Sequence, residues 1–310
     1  MLKGKMRKAS FVLLAVTFSV FVFYLSATAQ VSTYKPEQSG AVIAGNVSEE
    51  IEPGQNIDMY GRYFPTVDAQ SRSGEIGIVE SRAQYVNKIK LFDKLPLKFI
   101  VSDRYMGIEN STSVYLPAHL FGVSAGIEAT FPFFNMDNSY FRVGVYPSFY
   151  GDKYDFDSSS FRIPSNFMAI FIPNDRWTFV VGVAVTPDFE TEAFPILGFI
   201  YTPNDKLSFN LLPLRPNVSY KINDNLTTFI EGGFSGLEFE VDKPEQENAV
   251  LRYKEMHLGA GITYKFNKYI QATFAGGGVF DRVIKYKNVN LGKVSVENGA
   301  YSELRVNINF

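Results

Sequence analysis

The 310-residue chain has no cysteine, one tryptophan and two histidines. Without thiols there is no disulfide framework, no thiolate metal site, no cysteine nucleophile and no iron–sulfur cluster. Past residue 25 no apolar run approaches the ~20 residues that a spanning helix needs, which excludes a helical-bundle membrane protein. Charge of one sign is missing too. The 30 Lys+Arg stand against 32 Asp+Glu, so the basic footprint of a nucleic-acid binder is absent. Aromatics are abundant instead: 29 Phe and 18 Tyr bring them to 15% of the chain.

The N-terminus reads as an export address. Lys3, Lys5, Arg7 and Lys8 occur with no acid among residues 1–10, and 11–25 is apolar apart from Thr17 and Ser19. Ala27-Thr28-Ala29 then offers the small residues of a cleavage site, which predicts a secretory signal peptide over 1–29. A membrane anchor is the competing reading, but the run is short and no basic flank follows it.

The remaining chain alternates with period two, the mark of strands with one apolar face. Phe121, Val123, Ala125, Ile127, Ala129 and Phe131 alternate with Gly122, Ser124, Gly126, Glu128 and Thr130. Phe141, Val143, Val145 and Phe149 alternate with Arg142, Gly144, Tyr146, Ser148 and Tyr150. The pattern returns at Met256, Leu258, Ala260, Ile262 and Tyr264, and again at Leu304, Val306, Ile308 and Phe310. Several segments reach the ~9–11 residues of a tilted membrane strand, beyond the ~5–6 usual in soluble domains.

Short polar breaks fall at Asp93-Lys94, 135–139, 173–176, 203–206, 223–225 and 267–268, where Asn, Asp and Pro suit tight turns. Longer breaks lie near 67–74, 108–117, 151–160, 187–194, 238–250 and 284–298, with a tight one at Arg215-Pro216. Short and long breaks alternate, as in membrane barrels with short periplasmic turns and long outer loops. Six short turns join seven hairpins. The expectation is an all-β, antiparallel transmembrane β-barrel of about 14 strands over residues 56–310, with 12 to 16 open. Residues 30–55 would be an extension in the periplasm or the lumen. Tyr63, Tyr105, Phe133, Tyr140, Trp177, Tyr264, Phe266 and Tyr269 are candidate girdle aromatics.

The ending, 301–310, resembles the closing strand of bacterial outer-membrane barrels. In that class Leu304, Val306, Ile308 and the terminal Phe310 would be the signal read by the barrel-assembly machinery. Residues 211–220 (LLPLRPNVSY), followed by Asn223-Asp224-Asn225-Leu226, are similar to a motif of an outer-membrane barrel family of uncharacterised function found in Bacteroidota. Ala29-Gln30 resembles export signals common there. The strand number is also that of outer-membrane fatty-acid transporters, an analogy of fold alone, because no shared motif maps onto 31–56.

The class implies outer-membrane lipids as surroundings and a passive or facilitated channel for a small solute as function. A non-conducting structural or surface-interaction barrel is the alternative, and a lipid-modifying barrel enzyme a remote one. Lumen-lining candidates by phase are Glu128, Arg142, Tyr146, Tyr150, Asn210, Glu255, His257, Lys265, Gln271, Glu303, Arg305 and Asn307. One region breaks the alternation: Met168, Ile170, Ile172, Val180, Ala184 and Leu212 are apolar where polar residues are due. Strands apolar on both faces need cover on both. This wall either lines an apolar groove or is covered by 31–55.

No catalytic set emerges. His119 has Asp103, Ser111 and Ser113 near it in sequence, and His257 shares a face with Glu255, but spacing places no nucleophile. The acidic stretch 151–158 lacks the spacing of a calcium loop, and Gly276-Gly277-Gly278 lacks the Lys-Ser/Thr of a phosphate loop. No cofactor or metal is expected.

Overall fold

The computed structural model describes residues 53–310 apart from 71–72, 93–94, 134–135, 154–157, 187–192, 214, 244–245, 288 and 290–291. The signal peptide expected over 1–29 and most of the extension expected at 30–55 lie outside the described residues.

Among the described residues, seventeen β-segments follow one another: β1 (Gly54–Gln70), β2 (Glu75–Leu91), β3 (Leu95–Asn110), β4 (His119–Pro132), β5 (Ser139–Val145), β6 (Ser148–Gly151), β7 (Phe161–Arg162), β8 (Ser165–Asn174), β9 (Trp177–Val185), β10 (Ala193–Asn204), β11 (Leu207–Asn210), β12 (Asn217–Lys221), β13 (Leu226–Lys243), β14 (Gln246–Lys265), β15 (Ile270–Tyr286), β16 (Lys293–Val296) and β17 (Gly299–Asn309). Three staves are interrupted. β5 runs into β6 across Tyr146-Pro147, β7 into β8 across Ile163-Pro164, and β16 into β17 across Glu297-Asn298. The seventeen segments therefore make fourteen antiparallel staves. β1 pairs with β2 on one edge and with β17 on the other, which closes the sheet into a barrel. Closure is what bilayer burial demands, because lipid cannot satisfy a free strand edge.

All six short breaks fall between consecutive staves. In four of them an asparagine side chain forms the turn. The Oδ1 atoms of Asn174, Asn204, Asn223 and Asn267 accept backbone N–H groups two or three residues on, at 2.8–3.0 Å. The long breaks are less uniform. Most of 238–250 is strand: β13 and β14 pair in register as far as Val241 opposite Ala249, and the register shifts before the last pair, Lys243 opposite Gln246. Their charges, Glu238, Glu240 and Arg252, occupy one face while Phe239, Val241, Ala249 and Leu251 bury the other. Of 284–298, only 287–292 and the step at 297–298 interrupt the strands.

The outward face is apolar along the barrel's middle, with Phe99, Ile127, Phe179, Leu197, Ile230, Leu258, Ile262 and Phe274 exposed. Trp177 stacks on Phe179 and Tyr201 at the short-turn end, with ring centroids 5.4 and 4.2 Å apart. At the loop end Tyr105, His119 and Phe121 cluster. Tyr140 departs from the girdle reading. It lies in the inward phase of β5, with Arg142, and packs against the inner apolar wall.

Candidate functional site

Three layers fill the interior. The first, at the loop end, is a packed apolar core. Phe64 and Ala69 of β1, Ile76 and Ile78 of β2, Met106 of β3 and Leu120 of β4 cluster with Phe239 of β13, Leu251 of β14, Val279 of β15, Val294 of β16 and Tyr301 of β17. Phe64, Ile76, Met106, Leu120, Leu251 and Val294 have 0% exposure. Side chains in such a cluster pack at interior density and fill the space they enclose.

This core sits in a barrel narrower than the one below. Beyond Pro147, β6 still pairs with β4, through Ser124 opposite Ser148. It then reaches β13 directly, where Gly151 is the parallel neighbour of Glu240. Asp152 N–H donates to the Glu240 carbonyl at 3.1 Å, and the Tyr150 and Phe239 rings meet edge-on at 6.0 Å. Ser159 Oγ donates to the Glu240 carboxylate, and Lys153 pairs with Asp242 at 3.0 Å. β1–β4, β6 and β13–β16 thus close over the core, and β8–β12 stop short of that level.

The second layer is polar and ion-paired. The Arg62 guanidinium bridges Glu255 at 2.9 Å and Glu303 at 2.6 Å. Arg215 bridges Glu231 at 2.7 Å and Glu303 at 3.0 Å, and Arg305 joins the same two carboxylates. Tyr253 donates its hydroxyl to Glu255 at 2.6 Å. Buried charges are tolerable only when paired and hydrogen-bonded in this way. Lower on the wall Tyr146 donates to Glu128 at 2.6 Å and Lys98 pairs with Glu128 at 3.2 Å. Gly126 and Gly144 lie under the Tyr146 ring. A Cβ on either would stand 2.4 Å from a Tyr146 atom, so only glycine admits the ring there.

The third layer is apolar and one-sided. Met168, Ile170, Val180, Ile196 and Leu212 form a buried cluster on the inner face of β8–β10 and the 211–216 connection. Tyr140, Ile172, Ala184, Phe194 and Ile200 pack against it.

Of the inward candidates, Arg142, Asn210, Glu255, His257, Gln271, Glu303 and Asn307 are buried, and Glu128, Tyr146, Tyr150, Lys265 and Arg305 partly so. Glu255, Glu303 and Arg305 come together in the polar layer. Tyr150 belongs to the apolar core, and Arg142 donates to Thr130 at 3.3 Å. His257 Nδ1 stands 3.5 Å from Glu255, with its ring edge-on to Tyr301. Arg62, Glu231 and Arg215 complete the network and were not among the sequence candidates. Arg215 lies within the 211–220 motif, the one signal that could have marked it. The residues around His119 do not assemble a catalytic set: His119 Nδ1 meets the Tyr105 hydroxyl at 2.8 Å, Ser111 Oγ accepts the Glu75 N–H at 2.8 Å, and Asp103 lies across the sheet from Val123. Among the described residues no group of three or more His, Asp or Glu is placed to hold a metal ion.

Three solved structures resemble this arrangement. The COG4313 outer membrane channel from Pseudomonas putida F1 superposes with a TM-score of 0.50 at 11% identity, over 91% of this chain and 100% of that one. A FadL homologue of Pseudomonas aeruginosa gives 0.44 at 12% identity, covering 83% and 90%. The P. putida toluene transporter TodX gives 0.43 at 10%, covering 90% and 96%. At these identities the likeness is one of fold, that of outer-membrane barrels. No curated protein matches the sequence significantly. The family described as "Domain of unknown function (DUF6268)" matches residues 102–310, from the middle of β3 to the final residue and including Arg215, Glu231, Glu255 and Glu303, and the chain belongs to that family.

Proposed function

We propose that the processed chain sits in the outer membrane of a Gram-negative bacterium and carries a small apolar solute across it, passively or by facilitated diffusion. The observation that carries this reading is the one-sided apolar inner wall of Met168, Ile170, Val180, Ile196 and Leu212. A water-filled pore gains nothing from it; these side chains are buried against one another, so a small hydrocarbon enters by parting them, and on leaving water it is stabilised by about 25 cal/mol per Å² of its own apolar surface buried. The core-filled loop end and the ion-paired layer point away from a wide aqueous porin. On this reading 1–29 is removed on export, 30–55 stays in the periplasm or the lumen, and Leu304, Val306, Ile308 and Phe310 are read by the assembly machinery. No catalytic role is proposed.

The second reading is a non-conducting structural barrel, favoured by the packed core itself. One comparison separates the two. Host cells with and without the chain are given radiolabelled naphthalene, and the refolded chain is placed in a planar bilayer. The transport reading expects chain-dependent naphthalene uptake with small or absent ionic steps. Uptake equal to that of the empty host would remove it in favour of the structural barrel.

A further inference from the structure

Fourteen staves close the lower barrel, but the narrower upper barrel does not use β8–β12. The change of circumference leaves a place where two strand edges face each other unpaired. The last rung joining β10 to its successor is the Leu211 N–H donating to the Phe199 carbonyl at 2.8 Å. The last rung on the near edge of β13 is the Gly232 N–H donating to the Pro216 carbonyl at 2.9 Å. On β13 the next rung is at Glu240, with Asp152. The eight-residue step from Gly232 to Glu240 is about 26 Å of strand. Within it, residues 233–237 have no partner on this edge among the described residues, and residues 193–198 of β10 have none on theirs.

The sequence is suited to an open edge at this point. Phe199 turns its carbonyl toward β11, so by period two Leu197 and Pro195 turn their backbone groups to the same side. Pro195 has no N–H to leave unpaired, and proline in a sheet is confined to such edges. On β13, Gly236 falls in the matching phase, with nothing within 4 Å of where its Cβ would be.

The opening is apolar from one side of the wall to the other. Phe234 is 40% exposed on the outer face, and Phe194 packs into the inner apolar cluster. Their rings meet across the gap, with centroids 5.4 Å apart. Leu211 and Leu212 form the sill, one exposed outward and one buried inward. The height of the opening follows from β14, the other neighbour of β13. Phe234 is opposite Met256, which is exposed, and two residues higher Gly236 is opposite Lys254. The apolar belt therefore ends at the level of Phe234, and the opening lies at its upper edge, toward the loop end.

We propose that this gap between β10 and β13 is a lateral gate, through which a small apolar solute passes between the membrane's outer leaflet and the lumen, with Phe194 and Phe234 as its leaves. The inference rests on the transport reading above. The packed core fills the space it encloses at the loop end, so the side wall supplies the route on the loop side. A hydrocarbon taking it exchanges the lipid face for Phe234, Phe194 and then Ile196 and Leu212.

The chain has no cysteine, so a staple can be placed cleanly. The full chain carrying Phe194→Cys and Phe234→Cys is expressed in the host cells and treated with a bis-maleimide that contains a cleavable disulfide. Naphthalene uptake is then measured before stapling, after it, and after reduction. The gate predicts that stapling lowers chain-dependent uptake about tenfold and that reduction restores it. Uptake unchanged by a completed staple would overturn the gate while leaving transport standing. No chain-dependent uptake by the unmodified chain would overturn transport, and the gate with it. Leu197→Cys with Gly236→Cys staples the same edges if the first pair fails to fold, as judged by heat-modifiable migration.

Discussion

Gly151, at the end of β6, is the parallel neighbour of Glu240 on β13, although 89 residues and six strand segments separate them. This contact turns a fourteen-stave barrel into a narrower, core-filled one at its loop end. Its strength should come from the apolar pair beneath it. Phe239→Ala removes a fully buried ring and should cost about 3–5 kcal/mol. Asp242→Ala breaks only the exposed pair with Lys153, worth about 0.2–1 kcal/mol. Urea unfolding of the refolded barrel in lipid vesicles compares the two, and equal losses would contradict the packing account.

Arg62 lies between two buried carboxylates, Glu255 and Glu303. Arg62→Met leaves both without that cation and should destabilise by about 3–5 kcal/mol. Adding Glu255→Gln and Glu303→Gln should recover much of that loss, because the uncompensated charges go with the substitution. Lysine at position 62 should recover less, since a point charge cannot fork to two carboxylates. Midpoints of urea unfolding test the series.

Tyr146 covers Gly126 and Gly144 on the inner wall. Gly126→Val should push the ring away from Glu128 and cost about 1–3 kcal/mol, the usual range for overpacking. In a Tyr146→Ala background the same valine should cost much less. The two losses should therefore be non-additive, as expected of residues in contact. Additivity would show that the ring does not lie over the glycine.

The upper edge of the apolar belt on β14 falls between Met256 and Lys254. An arginine at Leu258, below that edge, should cost about 2–4 kcal/mol at the bilayer midplane and less toward the interface. An arginine at Lys254 should be close to neutral. Folding titrations in vesicles measure both, and a penalty at 254 equal to that at 258 would move the membrane boundary and the gate with it.

Much of the fold was legible because barrel strands obey local rules. Period two fixed which residues of β4, β5, β14 and β17 face lipid, and asparagine marked the turns at Asn174, Asn204, Asn223 and Asn267. What was not legible depends on pairings distant in the chain. Residues 238–250 read as a loop because of Glu238, Glu240, Asp242 and Lys243. Glu238, Glu240 and Asp242 occupy one phase, and Phe239, Val241, Ala249 and Leu251 in the other phase bury the core. Tyr140 is an end-of-segment aromatic by position, but its phase puts it with Arg142 inside the barrel. The apolar wall at Met168, Ile170 and Val180 was visible as a break in alternation. Its place beside an unpaired edge was not, because that edge exists only where β6 passes over β7–β12 to reach β13.

The central claim is that side chains of one closed sheet alternate between lipid and interior. Single cysteines at positions 255–262 of β14, spin-labelled in lipid vesicles, test it most directly through collisions with lipid-soluble oxygen. The account predicts high oxygen accessibility at 256, 258, 260 and 262 and low accessibility at 255, 257, 259 and 261. Accessibility without a period of two, or with the opposite phase, would contradict it.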